Sequence, residues 1–409
     1  MRVTSRGTKL LALLLGFALF ASACGSDKKK SSSSKTPQNA TTAPVSVKQG
    51  GTLVIGAEQE PDCADWFNTC AAASWGYWTM QVQTMPRAYD IVKENGKYVY
   101  KPSILLTGEP KLVTSPKQTV TYDINPKAVW NDGQPITSTD FKYTWDQAAH
   151  DKSTYDRTGY EKIQSVDDSN PKVAVVTFKS PYPDYQQLFA GNYGVAPSHL
   201  LAGKNRDAIM KNGYSFSGGP WQIQKWDKTN QITLVPNAKY WGAKPKLAKI
   251  IFKIQADTSA EFTAFKSDQV SMIYPQPQLD AVSQITAGLP NTQKVISLDT
   301  AAFESLWLND AKPPLDSKAV RQAVAYAIDR DAIVKRLFGQ LGLTQPLNVV
   351  NAPIVSDYSD TTAFADFKVD KGKVDSLLTG AGYKKGSDGI YAKGGQKLTF
   401  TVKSTAGNK

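Results

Sequence analysis

Histidine is almost missing from this 409-residue chain, which has only His150 and His199. That count excludes a histidine-built metal centre and the paired histidines of an HExxH protease. Both residues read as surface or helix-start positions. A GxSxG nucleophile elbow and a Walker-type phosphate loop are also absent. Catalysis by these routes has nothing to stand on, and neither a metal nor a cofactor is expected. Cysteine is nearly as scarce, at Cys24, Cys63 and Cys70. Cys63 and Cys70 lie further apart than the roughly two to four residues between most paired zinc ligands, and no second pair exists. No internal repeat occurs. Basic residues are in excess, with 48 Lys and Arg against 36 Asp and Glu and a net charge of +12. They are scattered, with Lys28 to Lys30 the one basic run, whereas nucleic-acid recognition needs a clustered patch. The excess therefore reads as a solvated basic surface.

The apolar run from Leu10 to Phe20 falls short of the ~20 residues that cross a bilayer. Arg2, Arg6 and Lys9 precede it and small residues follow, the layout of a secretory signal peptide over residues 1–23. Export is the expectation. From Ser26 to Gln49 the chain is Ser, Thr, Lys and Pro rich and nearly free of large apolar groups. It cannot bury enough surface to offset its ordering entropy, so residues 24–49 read as a flexible tether reaching about 25 to 30 Å.

Beyond it the sequence alternates strand and helix patterns, which argues an α/β fold. Gly51 to Gly56 reads as a strand buried on both faces, Gln118 to Asn125 and Lys172 to Lys179 as further strands, and Pro197 to Leu201 as a short helix. Trp75, Trp78, Val82 and Met85 share helical spacing stopped by Pro86, and Trp78, Val82 and Met85 are expected to face the core. Thr137 with Asp140 three residues on is a capping-box start. Residues 217–237 read as a hairpin turning at Asp227 to Asn230, followed by a strand at 249–257 and a helix from Thr258 to Lys266. The segment "SDQVSMIYPQP" reads as a short strand entering a loop. Further helices are expected from a cap at Asp316, with Val320, Ala323, Val324, Ala327 and Ile328 on one apolar face, from Arg330 to a glycine cap at Gly339, and from Val369 to Gly380. A last strand is expected at Leu398 to Val402.

The residues "ASACGS" around Cys24 resemble the lipobox of bacterial lipoproteins. The resemblance implies that Cys24 is lipidated and tethers the protein outside the cytoplasmic membrane. In that compartment, with Cys24 taken, Cys63 and Cys70 remain to pair as a disulfide that stiffens the turn after the first strand.

Five segments in order, "GGTLVIGAEQEPD", "VWNDGQPITSTDFKYTW", "SGGPWQIQKWD", "NAKYWG" and "LNDAKPPLDSKAVRQAVAYAIDRDAIV", resemble the extracellular solute-binding family 5, the substrate-binding lipoproteins of peptide-type ABC importers. The resemblance implies a two-lobed periplasmic-binding-protein-like α/β fold. Residues 50–89 and 217–300 would form the first lobe, 90–216 an inserted domain and 301–409 a second lobe. That lobe is expected to be incomplete, since relatives continue past the strand at Leu398. It further implies a non-enzymatic, monomeric receptor that captures short peptides and passes them to a membrane permease. Nickel chelate, haem or oligosaccharide on the same scaffold is the alternative, and a secreted hydrolase the rival of another class. By position, Ala73, Ser74, Trp75, Tyr274, Thr300, Ala302 and Ser305 match ligand-contacting sites of the family. From the residues alone, Trp75 reads equally as core or cleft, and Tyr274 also reads as a plain loop residue. Tyr155 and Tyr160 are candidates for the mouth of the cleft. The Trp130 to Thr144 segment is expected to be structural.

Overall fold

The computed structural model describes residues 48–71, 74–191, 193–275, 279–289, 292–294, 303–349 and 360–403. The expected signal peptide, nearly all of the expected tether, Cys24, Ala73, Thr300 and Ala302 lie outside them.

A four-stranded sheet has the order β1, β10, β9, β8, where β1 is Thr52–Ala57, β8 Trp221–Asp227, β9 Gln231–Pro236 and β10 Lys249–Ile254. β1 and β10 run parallel from Thr52 opposite Lys249 to Ala57 opposite Ile254, while β8, β9 and β10 form an antiparallel meander. β1 is not buried on both faces throughout: Leu53 to Ile55 are half-buried, and only Gly56 and Ala57 are fully enclosed. Its outer edge pairs with the 271–272 segment instead. There the amides of Ser271 and Met272 donate to the Val54 carbonyl, and the Gly56 amide donates to that of Met272. The expected strand in "SDQVSMIYPQP" is thus a single parallel bridge, Ile55 to Met272.

A hairpin of β2 (Tyr89–Glu94) and β3 (Lys97–Pro102) leads into a second, antiparallel sheet. Its order is β4 (Lys111–Val113), β5 (Thr119–Asp123), β7 (Val173–Phe178), β6 (Ile163–Asn170). The alternation expected of β5 and β7 is present, with Val120, Tyr122, Ala174, Val176 and Phe178 buried. Against this sheet lies the helix Ser138–His150, whose N-cap Thr137 and Asp140 close the capping box. Asp140, itself buried, does more than cap. Its Oδ2 accepts from the Thr137 amide at 3.0 Å and Trp130 Nε1 at 3.2 Å, and its Oδ1 from the Ser198 amide at 2.8 Å and Ser198 Oγ at 2.6 Å. One carboxylate thereby ties a turn, a helix start and a distant short helix. The Trp130 to Thr144 segment has a structural role of this kind.

One continuous hydrophobic core spans both sheets, from Ala57 to Phe252, and includes the fully buried Phe67, Tyr122, Trp130 and Phe189. Tyr160 belongs to it at 3 % exposure, and its hydroxyl accepts from the Phe189 amide, so it does not line a cleft mouth. Tyr155 is exposed and meets Tyr193 edge-to-face.

From 303 onward the packing is different. Helices Lys318–Ala327 and Lys371–Gly380 meet over a small cluster of Val320, Ala323 and Leu378. The first helix is capped at Ser317 rather than Asp316, whose amide instead closes a turn onto Lys312. Of the expected apolar face, Ala327 is exposed and Val324 and Ile328 half-buried, because the partner helix covers only the stripe nearest Val320. The helix Arg330–Phe338 ends at its C-cap Gly339 as expected, but that glycine keeps a right-handed φ of −58°, and the left-handed turn comes at Gly342, φ 83°. A strand over Leu398 to Val402 is not formed either. Only Gln396–Lys397 pairs, with Tyr391–Lys393, and Phe400 and Val402 stand exposed with no partner strand among the described residues.

Candidate functional site

β1, β10 and the segment bridged to β1 run in one direction and end together near Ala57, Ile254 and Tyr274. Chain segments diverge beyond such carboxyl ends, which is why open α/β sheets hold ligands there. Three aromatic rings occupy this edge. Trp75 meets Trp78 edge-to-face at 5.6 Å between centroids, and Trp78 meets Tyr274 at 5.5 Å in the same manner. Their exposures of 5 %, 39 % and 52 % run from core to solvent.

The register of the Trp helix explains why Trp78, expected in the core, lies at the surface. The helix is built from Ser74–Gly76, a π-helical turn Tyr77–Gln81, and Val82–Thr84. A π turn takes more residues per revolution than an α turn and so shifts the apolar stripe. Thr79, Met80, Gln81 and Thr84 become the buried positions, Val82 is half-buried, and Trp78 rotates outward onto Tyr274. Trp75 stays in the core and supports Trp78 from behind. An exposed aromatic pair with a fixed inner backing offers rigid apolar faces to a ligand.

Beneath Tyr274 lies an acidic side chain that sequence reasoning missed. Glu261, on the helix Thr258–Lys266, is 0 % exposed, and neither carboxyl oxygen completes a hydrogen bond. It presses against Gly56, where a Cβ would sit 2.9 Å from Oε1, so the strand end needs glycine at this approach. Burial pushes the Glu261 carboxyl up to about 8, the negative Glu58 adds to the rise, and the Tyr274 amide works against it. Glu58, on the residue after β1, accepts from the Thr258 hydroxyl at 2.9 Å. No sequence signal marks Glu261, since one acid in a first helical turn is ordinary helix chemistry.

The edge is braced from below. Cys63 and Cys70 are joined in a disulfide, and the enclosed loop buries Asp65, Trp66 and Phe67. Asp65 Oδ1 accepts from the Phe67 amide, and its Oδ2 receives Arg206 Nε at 2.8 Å. The Arg206 guanidinium lies 4.8 Å from the Phe67 ring centroid, pairs with Asp151 at 3.2 Å and donates to Ser153 Oγ and to Gln147 Oε1. Although burial works against its charge, Asp65 and Asp151 hold the guanidinium protonated beyond the usual arginine range. This loop feeds directly into the helix carrying Trp75 and Trp78.

The other residues singled out are dispersed. Ser74 opens the Trp helix. Ser305 is exposed in an irregular segment and has no hydrogen bond to another described residue. His150 pairs with Asp146 and His199 with Asp132, both near the surface. A cavity of about 370 Å³ is lined by Asp329, Arg330, Gln345, Asn348, Phe367 and Lys368. Arg330 donates to the carbonyls of Leu347, Phe364 and Phe367 and to Asn348 Oδ1, which makes it a strut between loops. Among the described residues no group of three or more His, Cys, Asp or Glu is placed to hold a metal, and no helix is long and apolar enough to cross a membrane.

The oligopeptide-binding protein AppA of Bacillus subtilis is 25 % identical over 413 residues, covering 98 % of this chain and 71 % of AppA. The oligopeptide-binding protein OppA of Mycobacterium tuberculosis is 31 % identical over 344 residues, 78 % of this chain and 54 % of OppA. The chain thus spans between about half and seven-tenths of these relatives. The solved structure of AppA in complex with a nonapeptide superposes with a TM-score of 0.68 at 20 % identity, over 86 % of this chain and 68 % of that one. That of AgaA from A. tumefaciens R10, in complex with agropinic acid, gives 0.68 at 24 % identity, over 82 % and 65 %. The likeness shows the α/β fold of the two-lobed binding proteins. Residues 105–409 match the family described as "Bacterial extracellular solute-binding proteins, family 5 Middle". With the family model matching about three quarters of it, the chain belongs to the family 5 extracellular solute-binding proteins.

Proposed function

We propose that this chain captures short peptides outside the cytoplasmic membrane and presents them to the permease of an ABC importer, without itself catalysing a reaction. The observation that carries the reading is the exposed Trp78 and Tyr274 pair at the carboxyl ends of the parallel strands, in a chain that aligns along nearly all its length with an oligopeptide-binding protein. Rigid aromatic faces accept varied side chains, while an extended peptide bonds through its main chain, a combination suited to binding many sequences. In this reading residues 50–89 and 217–300 form one lobe around an inserted domain at 90–216, and residues from 301 belong to the other. Cys24 carries the lipid, and the protein acts as a monomer.

Closure over a ligand requires contacts that favour the closed state, because a ligand with equal affinity for both shifts nothing. Ala73, Ser74, Thr300, Ala302 and Ser305 are proposed to join the aromatic pair in such contacts. The test is calorimetric titration with tetra- to nonapeptides. Micromolar binding with quenching of tryptophan fluorescence is expected, and absence of binding by any peptide at millimolar concentration refutes the reading. AgaA, with agropinic acid bound, supports a second reading in which the same scaffold takes a small non-peptide solute. Native mass spectrometry of freshly purified protein separates the two by the mass that accompanies the chain.

A further inference from the structure

We infer that the small sheet at residues 384–397 docks on an anionic lipid surface, its lysines meeting phosphate headgroups of the membrane beside which the protein works. This goes beyond ligand capture and does not depend on which ligand is bound.

The lysines are spread along the sequence, and strand register gathers them. Three short strands, Lys384–Lys385, Tyr391–Lys393 and Gln396–Lys397, pair antiparallel in that order. Lys384 stands opposite Ala392, and Ala392 opposite Lys397, so the three form one row across the sheet. Neighbouring positions along a strand alternate between faces. Tyr391 therefore lies on the other face, where it packs with Tyr383 and Leu398 against the Val320, Ala323 and Leu378 cluster. The lysine row is left pointing outward. Lys385 and Lys393 belong to the inner face by register, yet both are exposed. Their ammonium groups lie 5.5 Å from the Tyr391 ring centroid and 5.7 Å from that of Tyr383. The aliphatic stems cover the sheet margin while the charges reach solvent.

From Lys384 to Lys403 the chain has five lysines, one aspartate and no glutamate. The aspartate, Asp388, is held by Lys397 at 2.7 Å and by the Ile390 amide. Asp375, on the helix Lys371–Gly380, accepts from the Tyr391 hydroxyl at 2.7 Å. Lys384, Lys385, Lys393 and Lys403 have no acidic partner among the described residues.

A lipid surface suits this patch better than an acidic protein does. All its cations are lysines, point charges on flexible stems that follow a fluid layer of phosphates, whereas the fixed carboxylates of a protein are matched best by planar arginine forks. Ile390, 40 % exposed before the middle strand, sets an apolar side chain among the charges. Basic and apolar side chains side by side are what rests in a headgroup layer. The Gly394-Gly395 turn, with φ of 58° and 80°, carries no side chain that would hold the sheet off that layer.

The test sediments the exported protein with vesicles of phosphatidylcholine, with and without phosphatidylglycerol, at low and high salt. An acyl chain at Cys24 enters both kinds of vesicle, so the ratio of the two isolates the electrostatic part. The expected result is a preference for phosphatidylglycerol that fades at high salt. Lys384→Gln, Lys385→Gln and Lys393→Gln together should lower that preference at least about tenfold. Lys127→Gln, Lys152→Gln and Lys204→Gln together make the same charge change at exposed positions elsewhere and should lower it less than about twofold. No preference for phosphatidylglycerol, or equal losses from the two triple variants, overturns the inference. A reading on the unaltered protein guards against a folding defect in either variant. Acetylation by an amine-reactive ester, followed by mass spectrometry, should show Lys384 and Lys385 shielded on phosphatidylglycerol vesicles and Lys127 not; unchanged reactivity at Lys384 and Lys385 overturns the inference. Shielding by polyglutamate but not by the vesicles assigns the patch to an acidic protein and overturns it too.

Discussion

Replacing Arg206 with methionine should cost the protein more than any surface change, and should do so in a pH-dependent way. The side chains of Arg206 and Asp65 are 3 % and 1 % exposed, and Asp151 is a partly exposed second partner. Removing one member of a buried ion pair costs about 3 to 5 kcal/mol, chiefly because the remaining charge is stranded. Against a total stability of roughly 5 to 15 kcal/mol, such a loss is large. Asp65 is already pushed up to about 6 by burial, with Arg206 opposing the rise. Its folded-state pKa lies above the unfolded value, so the fold favours the protonated acid. Stability from this group is fully present below the unfolded pKa and is lost as pH rises through the folded one. Without Arg206 the folded pKa moves higher still. The gap between parent and Arg206→Met should therefore narrow by about 1.4 kcal/mol, from about 4 kcal/mol at pH 7 to about 2.6 at pH 5, as Asp65 takes up its proton in the variant before it does in the parent. Adding Asp65→Asn to the variant should recover part of the loss at pH 7. Urea unfolding followed by tryptophan fluorescence at the two pH values is the assay. A variant within about 1 kcal/mol of the parent at pH 7, or an equal loss at both pH values, would refute the assignment of a buried, charge-compensated tie.

Further outcomes follow from single features. Trp78→Ala should weaken peptide binding about tenfold with little change in unfolding, since the ring is 39 % exposed; a calorimetric affinity equal to the parent's counts against the aromatic site. Replacing Cys63 and Cys70 together by serine should cost about 2.5 kcal/mol on the chain-entropy account, read as a lower urea midpoint in the absence of reductant. Reactive thiols at these positions in the unreduced exported protein would remove the brace altogether. In Asp140→Asn the amide must face donors, either Trp130 Nε1 and the Thr137 amide or the Ser198 amide and hydroxyl. A loss of about 3 kcal/mol is expected, and a loss below about 1 would show that the four bonds are not jointly held.

What the sequence made legible was local. The capping box at Thr137 and Asp140, the hairpin turning after Asp227 and the helix Thr258–Lys266 each depend on residues a few positions apart. The family resemblance added the topology. The side on which Trp78 lies was not legible, because a period of 3.6 cannot anticipate a π turn. Asp65 and Arg206 are 141 positions apart, and nothing in either neighbourhood announces the other. Glu261 was silent for the same reason, its carboxyl lying against Gly56 on a strand far away in the sequence. Leu398 to Val402 shows the opposite failure: the alternation is present, yet a strand exists only where a neighbour accepts its hydrogen bonds.

The unequal hydrophobic clusters give the protein two clocks. Amide protons at Tyr122 or Val176, inside the core running from Ala57 to Phe252, trade with solvent deuterium only when that whole assembly opens. Those of the helix Lys318–Ala327 wait on three buried side chains, Val320, Ala323 and Leu378. Deuterium uptake should therefore fall into a slow class, set by global unfolding, and a much faster one. A ligand that engages residues on both sides of this divide would be read as a slowing of the faster clock toward the slower.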